Sequence, residues 1–126
     1  MSFLNDQKKE KLKEFAKFVV KELGIKKPPT IAIQDGRGEL RTTANYDYTK
    51  ENKIVKVNAH KRAPVDVMRS LAHELVHHKQ YEQGRLKVKP PDIGGEIEDE
   101  ANAKAGEIMR KYGRLHPELF DLMPLR

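Results

Sequence analysis

PVDVMRSLAHELVHHKQYEQG, running from Pro64 to Gly84, is the stretch from which the rest of the chain can be placed. Pro64 suits a first helical position, where no backbone N–H is needed. Met68, Leu71, Ala72, Leu75 and Val76 recur at three- and four-residue steps and define one buried stripe. Gly84 stops the helix. The segment His73-Glu74-Leu75-Val76-His77 therefore lies in mid-helix. Side chains four apart on a helix project from one face, so His73 and His77 can hold one metal ion between two imidazole nitrogens. Glu74 stands about 100° further round the helix, poorly placed as a ligand but within reach of a water on the metal. That is the position of a general base.

A third ligand must come from another segment. Gln80 and Gln83 follow the second histidine, so a three-histidine site on this helix is unsupported and a carboxylate is expected instead. Residues 84 to 95, with Pro90-Pro91 and Gly94-Gly95, read as a connecting loop. A further helix is expected from about Glu96 to Tyr112, its face of Ala101, Ala105 and Ile108 small enough for close packing. Its start offers Glu96, Glu98, Asp99 and Glu100, and His116 lies beyond its end. An acidic first turn also suits the helix dipole without any metal, so some of these acids are simply helix-start charges.

Upstream, Leu12, Phe15, Ala16, Val19, Val20 and Leu23 make an amphipathic helix of Asp6 to Leu23, ended by Gly24. Pro28-Pro29 breaks the chain before a short strand at Thr30 to Ile33 and a turn at Asp35 to Gly38. A second strand is expected around Glu39 to Ala44, and Lys53 to Asn58 is the best strand pattern in the chain. If that last strand were a sheet edge, a peptide could add to it, with Lys56 or Asn58 facing the cleft. Leu115 to Arg126 reads as a tail with a short helical turn from Pro117.

These elements make one α+β domain over residues 1–126, with an N-terminal helix, a small mixed sheet of about three strands and two further helices. With 37% apolar residues, 35% charged and no Trp, the core must be thin, and a bound metal would add stability. No cysteine is present, so any metal must sit on histidine and carboxylate. The first residues carry no signal-peptide pattern and no segment approaches a membrane span, so a soluble, cytoplasmic protein with no membrane partner is expected. The net charge of +6 raises nucleic acid as a partner, but no aromatic or glycine-rich motif interleaves the lysines, and solvated helix faces explain them as well.

The pairing of His73-Glu74-Leu75-Val76-His77 with Glu98-Asp99-Glu100-Ala101-Asn102-Ala103-Lys104-Ala105 resembles the gluzincin peptidases. In particular it is similar to the ImmA/IrrE-like family, in which HExxH is followed by a helix reading E-x-E-A-N-x-x-A. The resemblance spans roughly Ser70 to Met109, and departs where Val76 replaces the glycine common before the second histidine. It implies a minimal zincin-like domain in which His73, His77 and Glu98 are zinc ligands, Glu74 is the base, and Asn102 orients a ligand histidine. Helix geometry agrees with that register: Glu98, Asn102 and Ala105 share a face, while Glu96 and Glu100 lie about 200° from Glu98.

On this basis the expected activity is hydrolysis of peptide bonds in a peptide or protein substrate, with one Zn2+ per chain and a zinc-bound water activated by Glu74. A non-catalytic zinc-binding interaction module, or a nucleic-acid-associated protease, would be built from the same parts. Glu74 argues against the first, since a structural site needs no base. Tyr46, Tyr48, His60, Tyr112 and His116 are candidates to stabilise the oxyanion. His78 is read as a solvent-facing or supporting residue rather than a ligand.

Overall fold

The computed structural model describes residues 6–34, 44–48, 51–60, 62–86 and 95–118. Within them the order is α1 (Asp6–Leu23), β1 (Thr30–Gln34), β2 (Ala44–Asp47), β3 (Ile54–Asn58), α2 (Pro64–Glu82) and α3 (Glu96–Leu115). The class is α+β, as the sequence implies. The turn expected at 35–38 and most of the strand expected at Glu39 to Ala44 lie outside the described residues; β2 begins at Ala44.

α1 and α2 end alike, for one physical reason. After α1, Gly24 takes a positive φ of 67°, its N–H reaches the Lys21 carbonyl, and Ile25 N–H reaches Val20. After α2, Gly84 at φ 75° does the same toward Tyr81, with Arg85 N–H reaching Gln80. Both are glycine-dependent C-caps that satisfy the last carbonyls and turn the chain sharply. At its other end α2 has Pro64 at the first position and no side-chain cap. Arg62 supplies the anchor, donating to the carbonyls of Asn58 and Asp66 and to Ser70 Oγ, which ties the end of β3 to the first turns of the helix.

The sheet order is β1-β3-β2, with β3 parallel to β1 and antiparallel to β2. β3 is thus the central strand and not an edge, so a peptide adding to this sheet would have to pair with β1 or β2. Val55 and Val57 are fully buried, and the residues between them alternate outward. Two flanking strands cover the backbone of β3, which explains why its β-branched pattern is the strongest in the chain.

α2 occupies the centre, packed against α1, α3, β2 and β3. Its burial is correspondingly wide: Leu71, Ala72 and Leu75 are fully enclosed, and His77, His78 and Gln80 are buried too. Phe15 and Val19 of α1 complete the core together with Ala101, Ala105, Ile108 and Tyr112 of α3. The alanines let α3 lie close to α2, as the small-residue face implies. α3 runs past the expected end at Tyr112 to Leu115, with Gly113 helical and buried. No helix among the described residues is long and apolar enough to cross a membrane.

Candidate metal centre

α2 and α3 bring His73, His77 and Glu98 together. The Nε2 atoms of the histidines lie 3.2 Å apart. Each is 3.0 Å from a different oxygen of Glu98. One ligand atom from each of the three residues falls within 4.8 Å of the others, a group that can hold a metal ion. Two imidazole nitrogens and a carboxylate converge here because His73 and His77 share a face of α2, while Glu98 stands in the first turn of α3, where the alanine face brings that helix close.

Exposure is graded across the group: the side chains of His77, His73 and Glu98 are 8%, 19% and 36% exposed. Glu98 is thus the most solvent-accessible member of the group. Burial, and next the neighbouring His77, hold His73 below the ordinary histidine value, against the opposing pull of Glu98 and of a hydrogen bond with Asn102. The neutral imidazole so favoured is the form that offers a lone pair to a metal. Asn102 thus meets His73, one of the two histidines of the metal-competent group.

Glu74 is half-buried beside this group, and its carboxyl is pushed up from 4.5 to about 7, chiefly by burial and then by the charge of Glu98. A carboxyl that ionises near neutrality can both take and return a proton at physiological pH. Glu100 points elsewhere, accepting from Gln80 and Arg85. Among the described residues, Glu98 is the acid of α3 that joins the two histidines.

The oxyanion candidates are dispersed. Tyr46 is buried with its hydroxyl 2.6 Å from His78 Nδ1, and burial raises its pKa. Tyr48 stacks between Tyr46 and Tyr81. Tyr112 packs on Phe15 and Phe18, and His116 stacks on Tyr112 while reaching Glu118. His60 follows β3, its N–H bonded to Asn58 Oδ1. None of them belongs to the metal-competent group.

His78 is neither solvent-facing nor part of the centre. It is 2% exposed, bonded to Tyr46 through Nδ1 and to the Lys27 carbonyl through Nε2. Glu82 accepts from the N–H groups of Lys26 and Lys27, and Lys79 Nζ donates to the Gly24 carbonyl. One face of α2 thus pins the segment entering β1 while the other carries the histidine pair.

The residue that sequence reasoning missed is Gln80. It is fully buried, 2.7 Å from His77 Nδ1 through Oε1, and its amide nitrogen donates to Ile97 O and Glu100. Its position three residues after His77 puts it within reach of that imidazole, a spacing that was legible but shared by every helical i, i+3 pair. No protein-family model, curated protein or solved structure matches this chain.

Proposed function

We propose that this chain is a zinc-dependent metallopeptidase of the gluzincin type, similar to the ImmA/IrrE-like family, acting in the cytoplasm on peptide or protein substrates with one zinc per chain. The observation that carries the reading is the convergence of His73, His77 and Glu98 beside a half-buried Glu74 whose carboxyl stands at about 7. The donor set suits zinc: two neutral imidazoles and one carboxylate are a three-ligand set that leaves a fourth position open. When bound, zinc would polarise a substrate carbonyl and acidify a water toward neutrality.

The chain's own residues supply the rest. Glu74, half-buried beside the group, takes the proton of the attacking water and returns it to the leaving amine. Asn102 holds His73 in place through its side chain. Substrate would reach the group from the Glu98 side, the most exposed of the three side chains.

The test is cleavage of a peptide mixture by the zinc-loaded chain, read by mass spectrometry, with a chelator and with Glu74→Gln as controls. Hydrolysis that disappears in both controls is expected. Stoichiometric zinc with no cleavage in any arm would instead describe a non-catalytic zinc module.

A further inference from the structure

We infer that Gln80 is a positioning residue that makes His77 present Nε2, and not Nδ1, to the centre, with its own orientation dictated by Glu100 and Arg85. The inference rests on the metal-site reading above. Arg85 can only donate, and its Nη1 lies 2.7 Å from Glu100 Oε1. Glu100, paired with that guanidinium, is a carboxylate that can only accept.

The Gln80 amide therefore turns its nitrogen to Glu100 at 2.8 Å and to the Ile97 carbonyl at 3.1 Å, a second acceptor. Reversing the amide would set three acceptors against one another with no proton between them, in a fully buried position where an unmade bond is costly. With the nitrogen so committed, Oε1 faces His77 Nδ1 at 2.7 Å and can only accept there. His77 Nδ1 must carry a proton, which leaves Nε2, facing Glu98 and His73, as the nitrogen that can offer its lone pair to a metal. Free imidazole side chains have no such constraint.

The local fold supports the chain of contacts at both ends. Gly84 at positive φ turns the backbone so that Arg85 N–H closes on the Gln80 carbonyl, which holds Arg85 beside Gln80 and within reach of Glu100. Glu100, off the ligand face of α3, has its carboxylate against Gln80 instead. A supporting partner of this kind typically accounts for ten- to hundredfold in metal affinity.

The experiment combines zinc titration with long-range 1H–15N correlation of the histidine rings, in the metal-free and zinc-loaded full chain. The parent should show His77 with a protonated Nδ1 in both states, and with zinc on Nε2 when loaded. Gln80→Leu should keep its metal-free circular dichroism yet bind zinc at least tenfold more weakly.

A bare Nδ1 on His77 in the parent overturns the inference even if Gln80→Leu fails to fold. So does equal zinc affinity in Gln80→Leu. A parent that takes up no zinc but shows the protonated Nδ1 would sink the metal reading and leave the role of Gln80 standing.

Discussion

Glu74→Gln should make the metal-free protein more stable relative to the parent as pH rises. In the folded chain the carboxyl is displaced from 4.5 to about 7 by burial and by Glu98, so the folded state disfavours its charge. The sign follows from which state binds the proton more tightly. Here the folded state does, so stability is undiminished below pH 4.5, falls through the interval between the two values, and levels off above 7. Converted at about 1.4 kcal/mol per pH unit of displacement, the full loss is about 3 kcal/mol. Glutamine has the same shape without the charge, so its curve should lack that fall. Any constant cost of the amide shifts both ends of the comparison equally. Urea denaturation with chelator present, at intervals from pH 5 to pH 8, should show the advantage of Glu74→Gln growing by about 2–3 kcal/mol. With zinc bound the trend should largely vanish, because a nearby cation favours the charged carboxylate. Parallel curves for the two metal-free proteins would refute the claim that Glu74 is held protonated near neutrality by its surroundings.

Other outcomes follow from the same contacts. Glu74→Gln should retain about one zinc per chain by atomic absorption while hydrolysis is abolished, and turnover at the parent's rate would remove Glu74 from the base role. Glu98→Ala should weaken zinc binding by more than tenfold in a titration and Glu96→Ala should not, since Glu98 bridges the two histidines. Alanine at His73 or His77 should abolish zinc uptake and erase the rise in melting temperature that zinc gives the parent. Tyr46→Phe should cost about 1–3 kcal/mol in denaturant melts, because it strands His78 Nδ1 in a buried position. Zinc affinity in Tyr46→Phe should stay that of the parent, as the Tyr46–His78 contact is separate from the metal-competent group.

What could be read from the sequence was whatever depends on spacing along one helix. His73 and His77 had to share a face, Gly24 and Gly84 had to end their helices, and the register of Glu98 with Asn102 and Ala105 chose the acid that reaches the histidines. What escaped depends on which elements end up as neighbours. The β-branched pattern of Lys53 to Asn58 is the same for a central strand as for an edge with one face packed, and only pairing with β1 and β2 decides. His78 looked spare because periodicity gave α2 one buried stripe, whereas α2 is packed by helices and sheet together. Gln80 was read only as a missing histidine, since its value lies in Ile97 and Glu100, brought to it by α3.

Diffraction from crystals of the zinc-loaded chain, collected on both sides of the zinc absorption edge, tests the central claim most directly. An anomalous peak is expected about 2.0–2.1 Å from Nε2 of His73 and of His77 and about 2.0–2.2 Å from a Glu98 oxygen, with its fourth position free of protein and facing Glu74. A peak held by four protein ligands, or one that does not touch both histidines and Glu98, would contradict it.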